Sequence, residues 1–141
     1  MMRPLRLMLA MLVVGLPAVA HAQSARATLR DAQGTVVGAA TLNEVRGGVK
    51  IAVQVSGLKP GEHGFHIHAV GMCEPPAFTT AGAHFNPYGR EHGHKNPKGS
   101  LLQPGGTSLV IHADPDDEKT DPAGDSGTRI VCGVIASTAR K

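Results

Sequence analysis

The sequence predicts an all-β fold, and three observations favour that class. Short runs in which apolar and polar residues alternate recur along the chain, which is typical of strands with one buried face. Gly- and Pro-containing turn signals separate these runs. The chain shows no long amphipathic helix, no internal repeat and no heptad pattern. We therefore expect a small domain built from strands and tight turns.

The first 22 residues resemble a secretory signal and not a part of the fold. A basic start with Arg3 and Arg6 and an apolar run over residues 7–16 precede the small-x-small cleavage site Ala20-His21-Ala22. The apolar run is shorter than the roughly 20 residues that a membrane-spanning helix needs, and an N-terminal anchor or a core helix is the alternative. Residues 23–141 then form one domain, which we expect to be periplasmic or secreted.

Charge and aromatic content argue against a nucleic-acid partner. The whole chain carries a formal net charge of +3, but removal of two signal arginines from its 14 basic residues leaves 12 against 11 acidic ones. The chain has no Trp, one Tyr and no run of Lys or Arg, whereas nucleic-acid binding needs a basic face and usually stacking aromatics. We expect neither a nucleic-acid nor a membrane partner.

The first half of the domain is predicted to be a meander of three strands. Residues 25–31 alternate loosely and end at the turn signal Gln33-Gly34, and residues 35–43 are a second β-rich run. The pair Gly47-Gly48 between such runs favours a hairpin with a primed turn. Residues 49–55 are the clearest strand, since one face of it carries only Val49, Ile51, Val53 and Val55.

The second half alternates long loops with three further strands. Residues 72–106 are rich in Gly, Pro, His and Asn and have little periodicity, and a loop of that length is usually functional or disordered. Strands are predicted around residues 64–71, 107–112 and 128–135, and an acidic loop over residues 114–125.

Histidines are the main chemical signal in the sequence. His66 and His68 lie two residues apart in a predicted strand, so their side chains point to the same face. Four histidines, His66, His68, His84 and His112, could supply four nitrogens to one metal ion. Neutral imidazole suits copper, zinc, iron and nickel, and a tetragonal nitrogen set is what Cu(II) prefers. Any one of these histidines alone would more often be structural.

Two cysteines, Cys73 and Cys132, are present in a chain that we expect to be exported. An even number in an oxidising compartment favours one disulfide, and two free buried thiols are the alternative. Two cysteines are too few for a Cys-rich zinc site.

Several ordered segments resemble the copper/zinc superoxide dismutase family of bacterial exported type. They are Gly64-Phe65-His66-Ile67-His68, Ala81-Gly82-Ala83-His84-Phe85-Asn86-Pro87, Val110-Ile111-His112-Ala113-Asp114 and residues 124–135. The resemblance implies a Greek-key β-barrel or sandwich and superoxide dismutase activity with copper and zinc. It also implies an intrachain disulfide between Cys73 and Cys132.

The resemblance assigns roles position by position. It implies that copper is bound by His66, His68, His84 and His112, that His84 bridges copper and zinc, and that His92 binds zinc only. Asp116 resembles the aspartate that hydrogen-bonds ligands of both metals, although a solvated loop acid is its alternative. Arg129 resembles the arginine beside copper that attracts the superoxide anion. His63 resembles a structural histidine.

The chain departs from the family after Gly99. The family continues with a His-x-Gly-Asp-Leu segment and two strands, whereas this chain runs from Ser100 to Gly106 straight into the strand of His112. The gap removes a hairpin, so we expect about six strands and unpaired edges where a barrel would close. It also removes two zinc ligands, so zinc binding should be weak. A natural deletion and a damaged or mispredicted reading frame both explain the gap.

Three functions remain in competition at this point. The first is a superoxide dismutase that acts on superoxide with a redox-active copper. The second is a non-catalytic periplasmic copper-binding protein derived from that family, and the third is a domain that binds no metal. The family is often dimeric, but the missing hairpin alters the barrel surfaces that dimers use, so the sequence predicts no oligomeric state.

Overall fold

The computed structural model describes residues 24–89 and 101–138, and this part of the chain is all-β as predicted. It contains six strands and one 3₁₀ helix, Thr79–Ala81. The predicted signal segment and the predicted zinc ligand His92 lie outside the described residues. Within the described ranges, no helix has the length and apolar character that a membrane crossing requires. The strands are β1 (Ser24–Asp31), β2 (Val36–Val45), β3 (Gly48–Val55), β4 (Phe65–His68), β5 (Thr107–His112) and β6 (Arg129–Ser137).

The strands form one antiparallel sheet that curls into a half-barrel. Their spatial order is β3-β2-β1-β6-β5-β4, so β6 returns from the end of the chain to pair with both β1 and β5. The predicted reduction to six strands is confirmed. The sheet does not close, and β3 and β4 lie at its two ends.

The hairpin between β2 and β3 forms as predicted, but its turn is not of the primed type. Val45 pairs with Gly48, which leaves Arg46 and Gly47 as the two turn residues. Gly47 has a φ of 89°, whereas Arg46 does not adopt a positive φ. A primed turn needs a positive φ at its first residue, and the Cβ of an arginine disfavours that conformation.

The inner face of the curled sheet carries the main hydrophobic core. Alternate residues of each strand point to this face, as the period of two requires. The partly buried Ile51, Val53 and Val55 of β3 pack against it, as predicted from their alternation. The buried members of the core are Ala25, Ala27, Leu29, Ala40, Leu42, Leu109, Ile111, Val131 and Ile135.

Strand β5 is buried on both faces, and this positions the functional site. All six of its residues are buried, although Leu109 and Ile111 alone reach the inner core. On the outer face, Val110 packs with Phe78 in a second buried cluster that also holds Ala81 and Cys132. The long loop after β4 therefore folds back over the outer face of β5 and β6 and shields it from water.

Candidate metal centre

Four of the predicted histidines converge on the outer face of the sheet. His66 and His68 come from β4, His112 ends β5, and His84 comes from the loop that covers them. One ring nitrogen from each lies within 4.8 Å of those of the other three. The ring centroids of His66 and His84 are 4.1 Å apart, and those of His68 and His84 are 4.8 Å apart. Such spacing suits a single shared ion.

Backbone hydrogen bonds along β4 bring His84 to the cluster. The Ala69 N–H donates to the Ala83 carbonyl at 2.9 Å, and the Phe85 N–H donates to the Ile67 carbonyl at 2.8 Å. These bonds make His68 and His84 opposite members of an antiparallel bridge. The loop thus behaves as a very short extra strand on β4.

Backbone carbonyls fix the tautomers of two of the histidines. His68 Nδ1 donates to the Gly82 carbonyl at 2.9 Å, and His112 Nδ1 donates to the Gly127 carbonyl at 3.1 Å. In each neutral ring the lone pair is then on Nε2. The two Nε2 atoms face each other at 3.4 Å. Two lone pairs do not bond to each other, whereas a cation between them would be bound by both.

The burial of these rings keeps them neutral. Burial lowers the pKa of His68 to about 4, the positive charge of Arg129 acts in the same direction, and the bond to the Gly82 carbonyl opposes both. Burial also lowers the pKa of His112. Both rings are therefore unprotonated at neutral pH, which is the form that binds a metal.

Asp116 orients the third histidine, His66. The His66 Nε2–H donates to Asp116 Oδ2 at 2.5 Å, while Asp116 Oδ1 accepts the Glu118 N–H at 2.6 Å. With Nε2 committed to the carboxylate, Nδ1 is the nitrogen by which His66 would bind a metal. An outer carboxylate of this kind fixes ring orientation and raises ligand basicity. The structure thus places Asp116 beside the cluster, bonded to one of its four histidines.

Arg129, at the start of β6, lies beside the cluster and is held by the same loop. Its guanidinium donates to the Phe78 carbonyl at 2.8 Å and to the Gly82 carbonyl at 2.7 Å. Burial lowers the pKa of Arg129 from its ordinary value. The Gly82 carbonyl therefore accepts from both His68 and Arg129, and one peptide group aligns a cluster histidine with the neighbouring cation.

A disulfide and a buried aromatic ring hold that loop against the sheet. Cys73 and Cys132 form the predicted disulfide, which joins the loop to β6. Phe78 is fully buried against Val110 and Cys132. Because Phe78 also supplies a carbonyl to Arg129, the packing of its ring and the position of the guanidinium depend on each other.

Glycines whose roles the sequence analysis did not identify complete the support. Gly82 and Gly127 adopt positive φ angles of 75° and 72° and aim their carbonyls at ring nitrogens. A Cβ on Gly64 would lie 2.5 Å from Ser126 Oγ, so only glycine fits beside that buried serine. Gly64 and Gly82 each lie two residues before a cluster histidine, but Gly127 is 15 residues from His112, and a carbonyl's target depends on tertiary contacts.

His63 lies outside the cluster, as predicted. Its Nδ1 is 2.8 Å from the His112 carbonyl and its Nε2 is 3.0 Å from the Lys59 carbonyl. The bond to Lys59 is the largest of the causes that raise the pKa of His63. Both ring nitrogens are thus used to join the turn before β4 to the end of β5.

The four histidines form a donor set that suits one copper ion, whereas the described residues do not supply a separate zinc site. Four imidazole nitrogens are a set that Cu(II) accepts. In residues 24–89 and 101–138, His66, His68, His84 and His112 are the one group of His, Cys, Asp or Glu side chains that converges as metal ligands. A zinc site nearly always has four ligands, and the described residues offer only His84 of those that the resemblance implied.

Comparisons with known proteins agree with the geometry. The sequence matches the family model described as copper/zinc superoxide dismutase (SODC) over residues 33–105 and 99–135. It is 42% identical over 146 residues to superoxide dismutase (Cu-Zn) 2 of Aquifex aeolicus, with 79% of this chain and 85% of that protein covered.

Two solved structures share the fold. A SOD-like protein from Bacillus subtilis matches with a TM-score of 0.72 and 31% identity, covering 79% of this chain and 97% of that one. Cu/Zn superoxide dismutase from Brucella abortus matches with a TM-score of 0.65 and 26% identity, covering 80% of this chain and 99% of that one.

The same comparisons support a gap in this chain relative to its relatives. The two matches to the family model overlap at residues 99–105, where the sequence predicts missing residues. The Aquifex alignment is 146 residues long, whereas 79% of this 141-residue chain is about 111 residues, so about 35 positions face a gap in this chain. About 35 residues is enough for a hairpin and its loops.

Proposed function

Because this chain belongs to the copper/zinc superoxide dismutase family, we propose that it is an exported superoxide dismutase that uses copper at the four-histidine centre. The reaction converts two superoxide anions and two protons into one dioxygen and one hydrogen peroxide. The observation that supports this most is the convergence of four imidazoles beside a buried arginine. Residues 1–22 would be the signal that directs the domain to the periplasm or the exterior.

In this proposal each histidine has a defined coordinating atom or partner. His66 would bind copper through Nδ1, and His68 and His112 through Nε2, because their other nitrogens are engaged by Asp116 and two carbonyls. His84 would be the fourth ligand. Bound copper would supply one-electron chemistry by alternating between Cu(II) and Cu(I).

Arg129 is proposed to bind and orient the anionic substrate. Its guanidinium is fixed by two carbonyls, yet a guanidinium has five N–H donors, so donors remain for a small anion. A cation at the rim of a partly desolvated site raises the encounter rate of an anion, and salt weakens that effect.

His84 is proposed to carry the proton that peroxide needs. Its ring lies against His66 and His68 and comes from the loop that covers the site. The resemblance implies that zinc holds the second nitrogen of this ring. Since two zinc ligands of the family are missing, we expect protein dialysed after loading to keep about one copper and well under one zinc per chain.

The first experiment measures superoxide dismutation by residues 23–141 loaded with copper alone. We expect turnover that depends on copper and is lost in His112→Ala. Arg129→Ala should lower the rate by at least about tenfold and reduce its salt dependence. Arg26→Ala, which removes an exposed cation from β1, is the matched control and should have little effect.

The alternative is a non-catalytic copper-binding protein of the same family. This alternative is supported by the chain's similarity to a Bacillus subtilis protein that is named only superoxide dismutase-like. Tight copper binding without turnover in the same assay would favour it. Absence of copper binding would instead contradict both proposals and favour a domain that binds no metal. Copper affinity that His84→Ala leaves unchanged would show that the four-histidine centre is not where copper binds, which also contradicts both proposals.

A further inference from the structure

The outer edge of β3 is open in the described part of the molecule. The Ser56 N–H donates to the Val37 carbonyl at 2.9 Å, which continues the β2–β3 pairing beyond Val55 and sets its phase. Even-numbered residues of β3 therefore bond to β2. The N–H and C=O groups of the odd-numbered residues, Val49, Ile51, Val53 and Val55, point away from the sheet.

The opposite end of the sheet is protected. The loop around His84 hydrogen-bonds to β4 at Ile67 and Ala69 and covers much of that edge. No described residue does the same for β3. A bare edge strand with an apolar face is a template for pairing with another chain, so the two ends differ in what they can bind.

The side-chain pattern of β3 is symmetric about its centre. Residues 49–55 read Val-Lys-Ile-Ala-Val-Gln-Val, with Ala52 in the middle, a polar residue two positions away on each side, and β-branched residues between. A strand of this kind presents the same pattern in both directions. It is therefore complementary to an antiparallel copy of itself.

We propose that β3 pairs with β3 of a second copy about a two-fold axis at Ala52. In this register Ile51 opposes the partner's Val53 and Val49 opposes the partner's Val55. These are all residues with outward N–H and C=O groups, so the four pairs form about eight hydrogen bonds. Lys50 opposes the partner's Gln54, which keeps the two lysines apart.

The pairing also covers apolar surface that the monomer exposes. Val49 is 41% exposed, and Ile51 and Val53 are only partly buried. In the dimer they join two inner faces into one longer face across a twelve-stranded sheet. The partner takes the open place beside β3 at this end of the sheet.

Sedimentation velocity of residues 23–141 tests the proposal. We expect a species of twice the chain mass at about 100 μM. Ala52→Lys places two lysines opposite each other at the axis, on an exposed face that tolerates lysine in a monomer, and should raise the dissociation constant at least about tenfold.

Thr41→Lys is the matched control, because Thr41 is the exposed neighbour of Ala52 on β2. The two Thr41 residues are separated by about three strand spacings, roughly 14 Å, beyond the screening length at physiological salt. This variant should leave the dimer intact. A monomer at every concentration, a dimer that Ala52→Lys does not weaken, or equal weakening by both variants would overturn the proposal.

Cross-linking tests the register directly. The two Ala52 residues form a non-hydrogen-bonded pair, whose Cα atoms lie about 4.5 Å apart, within the range for a disulfide. Ala52→Cys should give a covalent dimer on mild oxidation, and Thr41→Cys should not. Failure of Ala52→Cys to cross-link in a protein that is dimeric by sedimentation would overturn this register.

Discussion

The two ends of the six-stranded sheet differ in how completely their polar groups are used. At the β4 end, the loop after the strand bonds to its edge, and three histidines are each oriented by a carbonyl or a carboxylate. At the β3 end, a row of backbone groups meets no partner among the described residues. Polar groups at the β4 end are therefore largely paired within the described residues, whereas the backbone edge of β3 is open.

This difference shows why the four-histidine cluster tolerates a missing hairpin. Each of its supports comes from β4, β5, β6 and the loops beside them, and these elements are all present. The sheet is open in the described part of the chain, while the four-histidine cluster keeps its supports.

The largest contrast between the two ends should come from truncating a core side chain at each. Phe78→Ala removes a fully buried ring beneath the metal-site loop and should cost about 3–5 kcal/mol of unfolding free energy. Val53→Ala, at the partly exposed β3 end, should cost about 1 kcal/mol. Urea unfolding of the metal-free proteins measures both.

The Phe78 variant has a second expected effect. The Phe78 carbonyl accepts from Arg129, so a loosened loop should also weaken the salt dependence of dismutation. Equal destabilisation by the two truncations would contradict the view that the metal end is the better packed one.

Gly64→Ala tests the close packing at the metal end with a single methyl group. The added Cβ would lie 2.5 Å from Ser126 Oγ and 2.7 Å from Ser126 Cβ, and that serine is buried. A crowded methyl group of this kind should cost about 1–3 kcal/mol. It should also lower copper affinity, because Gly64 bonds to the backbone at His112 and Asp114. Unchanged unfolding and copper titrations would show that the neighbouring chain yields without cost.

Local patterns in the sequence predicted what depends on local geometry. Alternation over residues 49–55 identified the buried face of β3, and the i, i+2 spacing placed His66 and His68 on one face, because strand period alone decides both. Resemblance to a family supplied Asp116 and Arg129, which no local pattern would place beside the histidines.

The hydrogen bonds that support the site and the type of the β2–β3 turn could not be predicted, because they depend on tertiary contacts and strand register that residue spacing does not encode. The Gly82 carbonyl accepts from His68 and Arg129 only because the loop bends back over β5 and β6. The turn after β2 was predicted as primed because two glycines are adjacent, but the strand register made Gly48 the first residue of β3 and left Arg46 in the turn.

Acid should destabilise the metal-free protein through the buried histidines at the β4 end. The pKa of His68 is about 4 when folded, below its ordinary value of 6.5, and that of His112 is lowered too. Between about pH 4 and 6.5 the unfolded chain binds more protons than the folded chain does. The free energy of unfolding therefore falls as pH drops from about 6.5 toward 4. His63, with a raised pKa, acts in the opposite direction. Urea midpoints from pH 7 to 5 should fall, and less steeply in His68→Asn.

The smallest effect, of opposite sign, is expected at the β3 end. Gly48 begins β3 without a positive φ, and a Cβ there would meet nothing within 4 Å. Gly48→Ala restricts the unfolded chain without a clash and should stabilise the protein by about 0.4–1 kcal/mol. Urea unfolding at a concentration well below that of any dimer measures this effect apart from association. Destabilisation would show that the β3 edge is already covered, and that the contrast between the two ends is smaller than their hydrogen bonds indicate.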